Sequence, residues 1–230
     1  MENIDDYPII AIDGPAGSGK GTISQCIANK LGWNILDSGA LYRLVAFAAL
    51  KRNISFTDKT NELQLIQVAK ELDVLFKPMT NNMIKIILEG EDVSLAIRTE
   101  DCGNAASQVA AKEPVRAALL QRQREFLQSP GLVADGRDMG TIVFPMAKVK
   151  IFLTASAEVR GLRRLNQLKE NGINANLHGL IRDIEERDTR DSQREVAPLI
   201  PANDAIIIDT GTLSIDEVVS EVMGIVNKTY

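Results

Sequence analysis

The chain has 230 residues, which suits one compact domain or a core with small appendages, and its 45% of apolar residues is enough for a sizeable core. Its formal net charge of −5 argues against a broad nucleic-acid or membrane interface, because binding a polyanion requires a positive surface. Cys26 and Cys102 lie far apart and form no metal-ligand pattern, so we interpret both as reduced, buried thiols. No segment looks like a signal peptide or is long enough to span a bilayer, so we expect a cytoplasmic protein.

Short apolar runs alternate with amphipathic segments along the first part of the chain. In chain order, this pattern predicts a strand at 8–13, a helix at 19–31, a strand at 33–36, a helix beginning at 38 and a helix at 58–70. The character then changes at 71–98, where two apolar runs at 72–76 and 83–88 flank the turn-forming segment 77–82. This pattern predicts a β-hairpin, which would form a small antiparallel insert.

Alternation returns after the insert. The pattern predicts helices at about 100–111 and 115–128, strands at 131–135 and 149–153, helices at 157–170 and 176–192, a strand at 205–209, and a last helix from Ser214, with Glu217 completing a capping box. Together these elements predict an α/β fold with a parallel five-stranded sheet flanked by helices. Ligands of such sheets bind at the carboxyl ends of the strands, and the polar motifs of this chain follow those ends.

A glycine-rich segment follows the first strand and opens the first helix, as a P-loop does. Glycines let successive N–H groups face one centre, the helix N-terminus adds partial positive charge, and a lysine supplies a full charge to the outer phosphates. We therefore assign the phosphates of ATP to Gly14, Pro15, Ala16, Gly17, Ser18, Gly19, Lys20, Gly21 and Thr22. A Ser or Thr normally follows the lysine and holds Mg²⁺, but here Gly21 does, so direct coordination of Mg²⁺ by this loop stays open.

Two further motifs end predicted strands. Ser38 and Arg43 follow the second strand, where a helix N-terminus and an arginine would hold a second phosphate; the alternative is a plain helix cap on Ser38. In the segment 134–140, Arg137 would bind phosphate and Asp138 would accept a hydrogen bond. Asp135 ends an apolar strand, as a Walker B aspartate does, so either Asp135 or Thr22 is a candidate neighbour of a metal ion.

Two charged segments lie on predicted helices. Arg187, Asp191 and Arg194 are spaced four and three apart, so they share one face that can bind an anion and a hydroxyl; the alternative is a solvated face. Arg160, Arg163 and Arg164 form a basic cluster, for which the alternative is a surface helix paired with acids such as Glu158.

Taken together, the segments 37–43, 104–111, 131–141 and 186–191 closely resemble bacterial cytidylate kinases over nearly the whole chain, and the Gly-Lys-Gly-Thr variant of the P-loop resembles nucleoside monophosphate kinases in general. The resemblance implies one nucleoside monophosphate kinase domain, with a core at 1–70, 99–157 and 175–230, an acceptor-side β insert at 71–98 and a helical lid at approximately 158–174. It implies that ATP with Mg²⁺ is the phosphoryl donor and that CMP and dCMP are the acceptors. The resemblance assigns cytosine to Ser107, Arg116 and Asp138 and the sugar to Arg187 and Asp191. It assigns the acceptor phosphate to Arg43, Arg137 and Arg194, with Ser38 nearby. The catalytic residues that it implies are Lys20, Arg137, Arg160 and Arg164.

The chemistry agrees with this interpretation, because transfer to a phosphate oxygen needs cations and positioning and no general base. The single histidine, His178, is therefore expected to be incidental. Three alternatives remain: another small-molecule P-loop kinase, a GTPase-like switch, for which no guanine-reading motif is found, and a nucleic-acid-dependent ATPase, which the acidic charge disfavours. We expect no nucleic-acid or membrane partner and a monomeric protein.

Overall fold

The computed structural model describes residues 7–56, 58–78, 84–170 and 172–230. The chain divides into two compact units, of which the first comprises residues 7–37 and 124–230 and the second comprises residues 38–123. The predicted insert at 71–98 is therefore one part of a larger second unit. Among the described residues, no helix is both long and apolar enough to cross a membrane.

The first unit is built on a parallel five-stranded sheet, which confirms the predicted fold class. Its strands are β1 (Ile9–Asp13), β2 (Asn34–Asp37), β6 (Leu132–Gly136), β7 (Val149–Thr154) and β8 (Ile206–Asp209), in the spatial order β2-β6-β1-β7-β8. Its helices are α1 (Lys20–Leu31), α6 (Ala157–Glu170), α7 (Leu177–Gln193) and α8 (Ile215–Thr229). The central strands β1 and β6 are buried along their whole length, as expected of strands covered on both faces.

The core of this unit lies between the sheet and two helices. Ile23 and Ile27 of α1 and Val222 and Val226 of α8 are buried in one apolar cluster with strands β1 and β7. Cys26 packs against this cluster but is only half-buried, so its predicted full burial is wrong, because it lies at the margin of the buried face of α1. The end of α1 and the start of α8 lie where the sequence predicts them. Gly32 terminates α1 in a left-handed conformation (φ 66°), and Ser214 and Glu217 form the predicted capping box of α8.

The strand register determines which polar residues become neighbours. Asp13 pairs with Gly136, and Asp37 pairs with Asp135, so the carboxyl ends of β1, β2 and β6 lie side by side. The loop after β1 and the segment after β6 therefore begin at the same edge of the sheet, as the sequence predicts.

The second unit combines four helices with a small antiparallel sheet. Its helices are α2 (Ser38–Lys51), α3 (Glu62–Lys70), α4 (Glu100–Ala110) and α5 (Glu113–Arg124), and its strands are β3 (Val74–Pro78), β4 (Ile84–Leu88) and β5 (Glu91–Asp92), in the order β3-β4-β5. The antiparallel pairing of β3 with β4 confirms the predicted hairpin. Of its predicted turn at 77–82, the first two residues continue β3, and residues 79–82 lie outside the described residues.

Three local features differ from the predicted elements. The helix predicted at 58–70 begins only at Glu62, because the Asp58 carboxylate accepts hydrogen bonds from the N–H and hydroxyl of Thr60 and competes with the helical pattern. β5 has two residues, which is too short for a periodic signal. Met139–Val143 form a π-helical turn with no repeating apolar pattern.

Candidate active site

The phosphate loop joins β1 to α1 in the first unit, as predicted. Gly14 approaches the chain so closely that a Cβ atom there would lie 2.1 Å from the carbonyl oxygen of Leu153, so no other residue fits. Gly19, the residue before α1, has a φ of 91°, and a Cβ atom there would have no neighbour within 4 Å. The loop thus combines a tight base with an open helix N-terminus, which is the arrangement that binds phosphate.

Lys20 is buried at the start of α1, and its ammonium group donates to the carbonyl oxygen of Pro15 at 3.0 Å. Burial, and after it the guanidinium group of Arg137, lower the pKa of Lys20 to about 7. Burial also raises the pKa of Asp135 to about 7, while Lys20 acts in the opposite direction. A lysine and a carboxylate therefore occupy a site that disfavours charge until an anion or a cation binds.

The structure gives a reason for Gly21, the residue that departs from the usual P-loop pattern. A Cβ atom at Gly21 would lie 3.3 Å from Oδ2 of Asp135, which is closer than most side chains tolerate. A side chain at this position would require that carboxylate to shift by a few tenths of an ångström. The absence of a side chain at position 21 therefore permits the close contact between α1 and β6.

The segment after β6 is fixed by a residue that sequence reasoning missed. The carboxylate of Asp13 accepts hydrogen bonds from the N–H groups of Met139 and Gly140, both at 2.8 Å, and burial raises the pKa of Asp13 to about 6. The carbonyl oxygen of Asp138 accepts from the N–H groups of Ile142 and Val143. A signal existed in the sequence, because Asp13 is a charged residue that closes a fully apolar strand.

Arg137, which follows β6, makes a direct contact with Asp191 of α7. Nε of Arg137 donates to Oδ2 of Asp191 at 3.1 Å, and Asp191 is only 4% exposed. Burial raises the pKa of Asp191, but Arg137, Arg187 and Arg194 together outweigh burial and lower it. Four of the predicted site residues therefore form one electrostatic cluster within the first unit.

The three arginines of α6 have different environments. Arg160 is buried, donates to the carbonyl oxygen of Ala16 at 3.1 Å and is paired with the Asp188 carboxylate instead of Glu158. Arg163 donates to Oγ1 of Thr210 at 3.0 Å. The guanidinium group of Arg164 donates to Oε1 of Gln167 at 2.6 Å.

The remaining predicted acceptor residues lie in the second unit. Oγ of Ser38 donates to Oε1 of Gln123 at 2.7 Å, and Arg43 donates to the carbonyl oxygen of Ile97 at 2.8 Å. Arg116 is buried with its guanidinium group 5.5 Å from the centre of the Tyr42 ring and donates to the carbonyl oxygen of Ala110. Ser107 is buried in α4.

Comparison with known proteins decides the family. The family model for cytidylate kinase matches residues 10–228. The chain belongs to the cytidylate kinase family. The family resemblance stated from the sequence motifs is thereby confirmed, and the alternative classes are not favoured.

Individual cytidylate kinases are similar over nearly their whole length. The chain is 56% identical to a protein named cytidylate kinase from Shewanella loihica, over 92% of this chain and 91% of that protein. It is 56% identical to one from a Marinomonas species, over 94% of each, and 58% identical to one from Stutzerimonas stutzeri, over 96% of this chain and 95% of that protein. By its name, a cytidylate kinase is a phosphotransferase whose acceptor carries a phosphate group.

Four residues of this cytidylate kinase family member support the candidate site and escaped sequence reasoning. They are Asp13, Gln123, Asp188 and Thr210. Asp188 lies inside a charge run from which only its neighbours were singled out, because helical spacing alone does not show which acid faces α6. Thr210 and Gln123 belong to no motif, so only the folded chain identifies their partners.

Proposed function

We propose that this protein transfers the γ-phosphoryl group of ATP to CMP and dCMP, giving ADP with CDP or dCDP. The observation that carries the proposal is that the first unit contains both a P-loop with the buried Lys20 and the cluster of Arg137, Arg187, Asp191 and Arg194. The full-length match to the cytidylate kinase family supports CMP as the acceptor.

The phosphate loop serves the donor. Residues 14–22 bind the phosphates of ATP through backbone N–H groups, and Lys20 adds charge at the outer phosphates. Burial lowers the pKa of Lys20 to about 7. A bound phosphate is an anion, so it acts in the opposite direction and favours the protonated form of the lysine. The bound phosphates therefore stabilise the positive charge of Lys20.

The acceptor is bound by three groups of side chains. Arg43, Arg137 and Arg194 bind the CMP phosphate near Ser38, and Arg187 and Asp191 bind the sugar. Ser107, Arg116 and Asp138 bind cytosine, because a carboxylate accepts from the N4 amino group and an arginine donates to the ring acceptors. Uracil offers an acceptor in place of that amino group, so Asp138 would face repulsion and lose its partner.

Phosphoryl transfer itself requires alignment and compensation of charge. The nucleophile is a phosphate oxygen that is already anionic, so no side chain removes a proton in the transfer step. Lys20, Arg137, Arg160 and Arg164 offset the negative charge that accumulates as the two nucleotides approach. Closure of the helical segment at approximately 158–174 over ATP would exclude water and suppress hydrolysis.

Mg²⁺ is proposed to accompany ATP. Among the described residues there is no group of three or more histidine, cysteine, aspartate or glutamate side chains that could hold a metal ion, which fits an ion held mainly by phosphates and water. Asp135, a buried carboxylate beside α1, is the protein group best suited to face it, with Thr22 as the second candidate. When bound, Mg²⁺ would supply positive charge that offsets the negative charge of the ATP phosphates. The monomeric state and the cytoplasmic location stay predictions from the sequence.

The acceptor assignment is tested by exchanging the base. The purified protein is assayed with ATP and CMP, dCMP, UMP or AMP, and the ratio of kcat/KM for CMP over UMP is compared between the wild type and Asp138→Ala. We expect the wild type to prefer CMP and dCMP, and we expect the substitution to reduce the CMP/UMP ratio by about 5- to 150-fold, which corresponds to about 1–3 kcal/mol.

Asp216→Ala is the matched control, because Asp216 is an exposed aspartate in the first turn of α8. It should leave the ratio unchanged. An unchanged ratio in Asp138→Ala would remove the proposed role of that carboxylate, and a wild type that phosphorylates AMP as fast as CMP would contradict the proposed function.

A further inference from the structure

Three carbonyl oxygens of the phosphate loop are held by side chains. The carbonyl oxygen of Pro15 accepts from Lys20, and that of Ala16 accepts from Arg160. The third, that of Ser18, accepts from the hydroxyl group of Thr210 at 3.0 Å. Thr210 follows β8, so a residue 192 positions away along the chain reaches the centre of the loop.

Thr210 is well suited to hold that carbonyl in one direction. It is 3% exposed, and its own N–H donates to the carbonyl oxygen of Thr154 at 2.8 Å. A threonine hydroxyl has one proton to donate and two lone pairs that accept. Because Arg163 only donates, its bond to Oγ1 uses a lone pair and leaves the proton of Thr210 for another acceptor.

Two carbonyl oxygens lie within hydrogen-bond distance of the Thr210 hydroxyl group, that of Ser18 at 3.0 Å and that of Thr154 at 3.1 Å. The Thr154 oxygen also accepts from the N–H of Thr210, so it keeps a donor when the hydroxyl group donates to Ser18. The other Arg163 nitrogen donates to the carbonyl oxygen of Thr210, so the guanidinium group grips this residue at two atoms. Arg163, Thr210 and Ser18 therefore form a directed chain of hydrogen bonds from α6 to the loop.

Fixing the carbonyl of Ser18 also fixes the N–H of Gly19. The two groups belong to one trans peptide, in which the C=O and N–H bonds point to opposite sides. With the oxygen bound to Thr210, the Gly19 N–H is turned away from Thr210. A Cβ atom at Gly19 would meet nothing within 4 Å, so there is room for a ligand beside this residue.

We propose that Thr210 and Arg163 are positioning residues for the phosphates of ATP, because they orient the Gly19 N–H as a phosphate donor. The inference rests on the proposed function of the loop as the ATP site. Neither residue touches substrate, and both act through the Ser18–Gly19 peptide. Their loss should therefore weaken productive binding of ATP and leave binding of CMP unchanged.

The test removes the hydroxyl group and keeps the shape of the side chain. Thr210→Val should lower kcat/KM for ATP by about 10- to 100-fold, because a small misplacement of a binding group costs this much. Thr210→Ser, which retains the hydroxyl, should restore kcat/KM for ATP to within about 3-fold of the wild type. The affinity for CMP alone, measured by calorimetry, should stay within about 2-fold of the wild-type value in all variants, since the hydrogen-bond chain ends at the donor loop.

A second variant makes the test independent of how well Thr210→Val folds. Arg163→Met should shift the same parameter in the same direction, and the double variant should be no worse than the more affected single variant, because both residues act in one chain. Val222→Ala is the structural control, since Val222 is fully buried on α8 and the substitution lowers stability without touching the loop. It should lower the melting temperature and leave the ATP parameters unchanged.

The inference is overturned if Thr210→Val and Arg163→Met bind and use ATP like the wild type. It is also overturned if the ATP and CMP parameters fall together in proportion to lost stability, or if Thr210→Ser fails to rescue. Failure of the proposed function is a separate result: the wild type would then bind no ATP, or Lys20→Met would bind and use ATP as well as the wild type does.

Discussion

At the residue scale, the most informative side chain is Lys20. The P-loop pattern predicts a lysine that contributes positive charge to phosphates, but the pattern does not show how strongly the site opposes that charge. In the structure, Lys20 is buried and lies near Arg137, and its pKa is lowered to about 7. A lysine in an unfolded chain has a pKa of about 10.4, so Lys20 of the folded protein without ligand loses its proton at a much lower pH than it does in the unfolded chain.

This lowered pKa predicts that ATP binding takes up a proton. Near pH 8 most Lys20 side chains of the free protein are neutral, and the bound phosphates should raise the pKa and restore the charge. Calorimetry of MgADP binding at pH 8 in Tris and in HEPES should give different heats, equivalent to uptake of up to about one proton.

Lys20→Arg is the matched control for this experiment, because an arginine stays charged at every relevant pH. It should bind MgADP with less proton uptake than the wild type. Equal proton uptake in the two proteins would show that Lys20 is already protonated in the free site.

Residue roles divide into those that a motif reveals and those that only packing reveals. Arg137, Arg187, Asp191 and Arg194 were predicted from strand ends and helical spacing, and the structure brings them together in one electrostatic cluster. Asp13 was not predicted, because a charge at the end of a strand gives no indication that it will bind two amide groups 126 and 127 positions later. Such partners depend on strand order, which no local pattern encodes.

At the element scale, most strands and helices could be predicted because each has a strong local signal. Strands of the parallel sheet contain short apolar runs, such as residues 9–12 of β1 and 206–208 of β8, and α8 begins with a capping sequence. The elements that escaped prediction are short or irregular, such as β5 and the π-helical turn after Asp138. Their conformations come from pairing with β4 and from the hydrogen bonds of Asp13.

The capping box of α8 makes a prediction about stability. Oγ of Ser214 accepts from the N–H of Glu217, and the Glu217 carboxylate accepts from the N–H of Ser214. Ser214→Ala should lower the free energy of unfolding by about 1 kcal/mol, because it leaves a helix N–H without its partner. Urea denaturation monitored by circular dichroism measures this loss.

Ser220→Ala is the control on the same helix, since Ser220 is exposed and lies in the helix interior. It should leave stability unchanged or raise it slightly, because alanine is the better helix former. A loss from Ser214→Ala no larger than that from Ser220→Ala would mean that the box contributes nothing to α8.

At the scale of the whole molecule, the parallel sheet explains why one unit contains both the phosphate loop and the cluster around Arg137. β6 pairs with both β1 and β2, and the register of these pairs places the carboxyl ends of the three strands side by side. The loops that follow the strands therefore start from one edge of the sheet. The sequence predicted this convergence, because strands alternating with helices imply a parallel sheet. The division of the chain into units at 38 and 124 was not predicted, since no change in composition marks either position.

Transfer of the γ-phosphoryl group from ATP to CMP is tested most directly by following that group. The purified protein is incubated with Mg²⁺, CMP and ATP labelled in its γ-phosphoryl group, and the products are separated and counted for the wild type and for Lys20→Met. We predict that the label appears in CDP in equal amount to the ADP formed, and that the substitution slows this transfer by about 10²- to 10³-fold. Label released only as inorganic phosphate, or CDP formed at the same rate by both proteins, would contradict the account.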